Sequence, residues 1–135
     1  MTRIFWDTSL FLYLFEGRED VKRLRERMIA RDDRLFTSSL TMGEVLVKPA
    51  AVGDDVASRY ELAITRAATI VPFDLAAARR HAALRSDGSI ESHDLIQLAC
   101  ASAAGIDMFI TNDDRLSGKV VPGVKFISSL SRAFL

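Results

Sequence analysis

Four acidic residues, Asp7, Glu44, Asp94 and Asp113, occupy positions from which their side chains could share one site. Asp7 and Asp113 follow apolar runs that are typical of strands. Asp94 lies in the first turn of a predicted helix, and Glu44 lies in an otherwise apolar helical segment that follows a strand. Each acid alone also fits an ordinary role, because carboxylates are favourable in turns and near helix N-termini. The four positions together favour a shared site.

Carboxylates held close together need a cation between them. Two like charges ~4 Å apart repel by about 4 kcal/mol at an effective dielectric constant near 20. A ligand set made only of oxygens favours hard cations such as Mg²⁺ or Mn²⁺, which keep positions open for water and phosphate oxygens. Phosphodiester hydrolysis needs such a site, since one ion lowers the pKa of an attacking water and a second, ~3.5–4 Å away, stabilises the leaving oxygen. The acids therefore predict metal-dependent phosphodiester hydrolysis.

Strands that alternate with helices would position these acids. Short apolar runs predict five strands, at 3–6, 35–37, 69–71, 106–110 and 124–126. Segments with helical periodicity or capping residues separate them. This alternation predicts an α/β fold, a parallel sheet with helices on both faces in a three-layer sandwich. Ligands bind beyond the carboxyl ends of the strands in such sheets, which is where Asp7 and Asp113 are expected.

Particular residues predict where three helices begin or end. Thr8 or Ser9 is expected to cap the first helix. Ser92 is expected to cap the helix near residue 94 in the same way. Pro49 is expected to end the helix after the second strand near Lys48, because proline disfavours helical geometry in the preceding residue.

Composition limits the class of protein. The chain has 135 residues, of which 49% are hydrophobic and 27% charged, and this predicts a single folded domain over residues 1–135. Its 18 Lys and Arg balance its 18 Asp and Glu, so nucleic-acid binding would need a local basic surface. A single cysteine, Cys100, excludes an internal disulfide and favours a cytoplasmic location. The apolar run 10–15 is too short to span a bilayer, so no membrane contact is expected.

Four segments together resemble one family of nucleases. They are Asp7-Thr8-Ser9, Thr41-Met42-Gly43-Glu44, Asp94-Leu95-Ile96-Gln97-Leu98-Ala99 and Thr111-Asn112-Asp113, in an order that covers nearly the whole chain. On these segments the chain resembles the PIN-domain ribonucleases. Its length is similar to that of the VapC-type toxins of toxin–antitoxin pairs. The resemblance implies a PIN-like three-layer sandwich with a five-stranded parallel sheet, and cleavage of RNA that depends on Mg²⁺ or Mn²⁺.

The resemblance also implies roles for single residues and partners. The catalytic, metal-binding acids would be Asp7, Glu44, Asp94 and Asp113. Thr111 and Ser9 would position an acid or a water by hydrogen bonding, and Asp114 is an alternative to Asp113. His93 lies outside the shared pattern and is interpreted as a residue of the helix start. The implied partners are RNA of the tRNA or rRNA class, an antitoxin protein and a second copy in a homodimer.

Two other functions stay open. An aspartate-dependent phosphatase would use Asp7 as its nucleophile. The haloacid-dehalogenase pattern needs a second aspartate two residues later, however, and Ser9 stands there. A catalytically inactive PIN-fold scaffold would bind RNA or protein without a metal, although acids at all four places disfavour it. Calorimetry with Mn²⁺ separates a metal site from such a scaffold.

Overall fold

A parallel sheet forms the middle layer of the computed structural model, which describes residues 2–133. Its strands are β1 (Arg3–Trp6), β2 (Arg34–Ser38), β3 (Thr69–Val71), β4 (Ile106–Thr111) and β5 (Val124–Ser129). Their order across the sheet is β3-β2-β1-β4-β5, and every pair of neighbours is parallel. The carboxyl ends of β1 and β4 therefore meet at the centre of one end of the sheet.

Helices cover both faces of this sheet. They are α1 (Thr8–Phe15), α2 (Glu19–Ala30), α3 (Ser39–Val45), α4 (Val47–Val52), α5 (Asp54–Ala67), α6 (Leu75–Leu84) and α7 (Ser92–Ala104). Short 3₁₀ helices follow β4 and β5, at Asp114–Leu116 and Leu130–Arg132. The predicted α/β sandwich with a five-stranded parallel sheet is confirmed. None of the helices within residues 2–133 combines the length and the apolar character that crossing a bilayer requires.

Alternate residues of the central strand pack into the two helical layers. Ile4 and Trp6 are fully buried in a core that includes residues of α1, α2 and α5. Phe5 belongs to the opposite core, with residues of α6 and α7, and its ring stacks on that of Phe109 at 5.1 Å between centroids. Burial on both faces explains why the central strands are continuous apolar runs in the sequence.

Two helix caps differ from the sequence expectation by one residue. Asp7, rather than Thr8 or Ser9, caps α1, since its side chain accepts a hydrogen bond from the backbone N–H of Ser9. Glu91 holds the N-cap position of α7, and Ser92 is the first residue within that helix. The first difference matters for the site, because it gives Asp7 a fixed orientation at the end of β1.

The expected end of a helix near Lys48 is wrong. Helix α3 stops at Val45, and a second short helix, α4, contains Pro49 as its third residue. Proline is tolerated there because N–H groups in the first turn have no acceptor within the helix.

Candidate active site

The ends of two neighbouring strands bring Asp7 and Thr111 together. In the β1–β4 pair, Trp6 lies opposite Ile110, so Asp7, which follows β1, lies beside Thr111, the last residue of β4. The hydroxyl of Thr111 donates a hydrogen bond of 2.6 Å to Oδ2 of Asp7. The strand register therefore fixes the position of one carboxylate oxygen.

The carboxylate of Asp7 is buried and held through both oxygens. Its Oδ1 accepts hydrogen bonds from the backbone N–H of Ser9 at 3.1 Å and from the hydroxyl of Ser9 at 2.6 Å. Only 8% of Asp7 is exposed. Burial raises the pKa of Asp7 above its ordinary value, although the hydrogen bonds from Ser9 and Thr111 oppose that shift. Both residues predicted to support the site thus contact this acid.

Asp94 is a second buried carboxylate, in the first turn of α7 with 5% exposure. Burial raises its pKa, and the negative charges of Asp113 and Asp7 raise it further. His93 opposes the shift, and its Nε2 lies 3.4 Å from Oδ1 of Asp94. The charges of Asp113 and Asp7 are therefore close enough to act on Asp94.

Asp113 is held by Arg115. Asp113 caps the 3₁₀ helix that follows β4, and its Oδ1 accepts from the backbone N–H of Arg115 at 2.9 Å. The guanidinium of Arg115 also donates to both carboxylate oxygens, each at 3.0 Å. These bonds and the positive charge lower the pKa of Asp113. This acid is therefore stabilised in its charged form, unlike Asp7 and Asp94.

Glu44 is oriented by a chain of hydrogen bonds from α7. The hydroxyl of Thr8 donates to Oε1 of Glu44 at 2.7 Å. Nε2 of Gln97 donates to the hydroxyl oxygens of Thr8 and Thr41, at 3.1 and 2.8 Å. The hydroxyl of Thr8 also lies within donating distance of the Thr41 hydroxyl, at 3.2 Å, and its contact with Glu44 is the shorter of the two. Gln97 is itself fixed, since its Oε1 accepts from the hydroxyl of Ser38 at 2.5 Å.

One cavity of about 430 Å³ contains all four acids predicted from the sequence, Asp7, Glu44, Asp94 and Asp113. It opens at the carboxyl ends of β1 and β4. Its other lining residues are Thr8, Ser9, Glu91, His93, Gln97, Thr111, Asn112 and Arg115. Acids separated by most of the chain thus converge on one space.

Asp114 lies outside this cavity. It lines a separate depression that includes Arg18 and Asp20, on the far side of Asn112. The two adjacent aspartates are separated because Asp113 is the cap of the 3₁₀ helix, whereas Asp114 is its first helical residue. Asp113 is therefore the one of the pair that the structure brings to the other acids.

Several lining residues were missed in the sequence. Gln97 had a signal, because it is the one polar residue in the apolar run 95–100. Thr8 was considered only as a cap. Arg115 and Glu91 had no signal, since their contacts depend on how the loop after β4 approaches α7. His93 is at the helix start as interpreted, and it also lines the cavity.

The lining fits a hard divalent cation. The four predicted acids offer only oxygen ligands, and a cation would offset the burial that raises the pKa of Asp7 and Asp94 and the repulsion that raises the pKa of Asp94 further. A nitrogen ligand lies at the rim. Within residues 2–133, Glu91, His93 and Asp94 form a set whose ligand atoms lie within 4.8 Å of one another. Asp94 is the one of the four predicted acids that belongs to this set, and no three of those four acids have ligand atoms so close together among the described residues.

Solved structures share this fold. A toxin–antitoxin complex from Klebsiella pneumoniae is 26% identical, with a TM-score of 0.70 over 90% of this chain and 94% of that one. VapBC2 from Rickettsia felis, bound to a DNA fragment from its promoter, is 16% identical, with a TM-score of 0.73 over 93% and 98%. DNA-bound VapBC from Salmonella typhimurium is 17% identical, with a TM-score of 0.67 over 96% and 99%.

Sequence comparison identifies the family directly. No curated protein matches the chain significantly in sequence. The family model of the PIN domain, however, matches residues 4–120. That range contains the whole cavity lining and all of the sheet except Arg3 and β5. The resemblance found in the four acidic segments is thereby confirmed, and the chain belongs to the PIN domain family.

Proposed function

We propose that this protein is an endoribonuclease that depends on Mg²⁺ or Mn²⁺, and that it is the VapC-type toxin of a toxin–antitoxin pair. The observation that carries the proposal is the burial of Asp7 and Asp94 in one cavity with Glu44 and Asp113. Buried carboxylates that repel one another are costly without a cation. Membership of the PIN domain family supports nuclease chemistry at this site.

The four acids would bind the cation, and two hydroxyl groups would orient one of them. Asp7, Asp94 and Asp113 would hold the cation, and Glu44 would contact it directly or through water. A bound divalent cation supplies an activated water and stabilises charge on the leaving oxygen. Ser9 and Thr111 would keep the Asp7 carboxylate aimed into the cavity, since both donate to it at 2.6 Å.

The comparison with solved structures supports an antitoxin as one partner of this chain. The similar structure from Klebsiella pneumoniae is a toxin–antitoxin complex, and it is 26% identical to this chain. We therefore expect an antitoxin protein, encoded by a small neighbouring reading frame, to bind and inhibit this chain. Structured RNA of the tRNA or rRNA class is the expected substrate. A homodimer is the expected state, and light scattering should then give twice the mass of the chain.

RNA cleavage by metal-stripped protein to which Mg²⁺ is returned tests the function. The wild type should cut RNA without forming a 2′,3′-cyclic phosphate, because water rather than the 2′-hydroxyl is the nucleophile. Asp94→Asn should be inactive. Asp114→Asn is the matched control and should retain activity, since Asp114 lies outside the cavity. Cleavage by Asp94→Asn, or cleavage unaffected by chelation, would contradict the proposal.

Cleavage assays combined with RNA binding and with calorimetry separate the alternatives. A binding scaffold would retain RNA without cutting it and would give no heat with Mn²⁺. An aspartate-dependent phosphatase would release phosphate from a monoester and leave internal phosphodiester bonds intact.

A further inference from the structure

The guanidinium of Arg115 donates to both oxygens of the Asp113 carboxylate. Its Nε lies 3.0 Å from Oδ1 and its Nη2 lies 3.0 Å from Oδ2, which is a bidentate pair. Nη2 also lies 3.2 Å from Oε1 of Glu91, so a second acid holds the same guanidinium. The carboxylate keeps a lone pair free on Oδ2, but a cation bound there would lie beside the positive guanidinium and be repelled by it. This repulsion favours opening of the Arg115–Asp113 pair when Asp113 becomes a ligand.

The negative charge of the cavity makes the released guanidinium a suitable group to bind a phosphate. Five carboxylates line the cavity, and Arg115 is the one lysine or arginine among its lining residues within residues 2–133. A phosphodiester is an anion, so this lining repels it unless positive charge faces the backbone. The planar guanidinium matches two phosphate oxygens as well as it matches a carboxylate. The side chain is 72% exposed, so it can turn without leaving a gap in the core.

We propose that Arg115 exchanges Asp113 for a phosphate of the RNA backbone when Asp113 takes a divalent cation. The inference rests on the proposed function. Glu91 remains beside the guanidinium and keeps it at the rim of the cavity during the exchange. Arg115 thus opposes cation binding in the free protein and favours RNA binding in the loaded protein. The cation and the substrate become linked through one side chain.

Calorimetric titration with Mn²⁺ tests the first half of this exchange. Arg115→Gln should bind Mn²⁺ about thirtyfold more tightly than the wild type, because one unit charge ~4 Å from a divalent ion is removed in a solvated site. Arg115→Lys keeps the positive charge but cannot form the bidentate pair, so its affinity for Mn²⁺ should lie between those of the wild type and Arg115→Gln. Arg18→Gln is the matched control, since Arg18 pairs with Asp20 near the outer depression, and it should bind like the wild type. Equal affinity of Arg115→Gln and the wild type would overturn the inference.

Cleavage of an RNA oligonucleotide in saturating Mn²⁺ tests the second half. Arg115→Gln should raise KM with little change in kcat, and the salt dependence of log(kcat/KM) should fall by about 1, the loss of one phosphate contact. A KM and a salt slope equal to those of Arg18→Gln would overturn the exchange. Failure of the wild type to bind Mn²⁺ or to cut RNA would instead overturn the proposed function. The two failures are therefore distinguishable.

Discussion

The hydroxyl of Thr111 donates a hydrogen bond of 2.6 Å to Oδ2 of Asp7, and so joins the ends of two adjacent strands at the floor of the cavity. The same hydroxyl oxygen accepts the backbone N–H of Asp113 at 3.0 Å. Thr111 thus fixes two acids, one through its proton and one through a lone pair. Its side chain is fully buried, so water cannot replace these bonds.

Replacement of Thr111 by valine should therefore weaken both fold and function. Thr111→Val removes a hydrogen bond that lowers the pKa of Asp7, so the acid limb of the pH–rate profile should move to higher pH. The free energy of unfolding should fall by about 1–3 kcal/mol, because buried polar groups lose their partner. Thr111→Ser keeps the hydroxyl and serves as the control. An unchanged pH profile in the valine variant would show that this bond does not act on Asp7.

Neutralisation of two different aspartates should change stability in opposite directions. Burial raises the pKa of Asp7, so Asp7→Asn should raise the Tm of the metal-free protein by a few degrees, as expected for about 1 kcal/mol. The pKa of Asp107 is lowered by hydrogen bonds from the backbone N–H of Arg3 and from Lys125. Asp107→Asn should therefore lower the Tm. Thermal melts in chelator measure the Tm of both variants. A Tm of Asp7→Asn below that of the wild type would show that the buried charge of Asp7 does not destabilise the metal-free protein.

The difference in Tm between Asp7→Asn and the wild type should depend on pH. Because the folded pKa of Asp7 is raised, its contribution to wild-type stability is present below about pH 3.8 and is lost as pH rises through the folded pKa. The advantage of the asparagine variant should then be largest near neutral pH and should vanish in acid. Melts from pH 4 to 7 test this, and an advantage that is independent of pH would point to packing instead.

Thr8 should affect the affinity for Mn²⁺, because it orients Glu44 in the cavity. Thr8→Val removes the 2.7 Å hydrogen bond that orients this exposed acid. Mn²⁺ affinity should fall about fivefold, the equivalent of about 1 kcal/mol for one hydrogen bond. Thr8→Ser retains the donor and should bind like the wild type. If valine and serine bind Mn²⁺ equally, Glu44 is not positioned through Thr8.

The fold and the four acids could be predicted because the strand and helix signals in the sequence place these acids at the same end of a parallel sheet. Asp7 follows a central strand and Asp94 begins a helix, and both positions lie at the carboxyl end of a parallel sheet. Asp113 and Asp114 could not be separated in the sequence, because their difference comes from the turn into a 3₁₀ helix. The contact of Arg115 with Glu91 depends on a long side chain reaching across two loops, which no periodicity records.

The position of a bound cation in a crystal of this protein soaked in Mn²⁺ would show whether Asp7 and Asp94 hold a metal ion. An anomalous difference map should show a peak in the cavity about 2.1 Å from carboxylate oxygens of Asp7 and Asp94, with Asp113 turned towards it. A peak held by Glu91 and His93 away from Asp7, or the absence of any peak at millimolar Mn²⁺, would contradict the account.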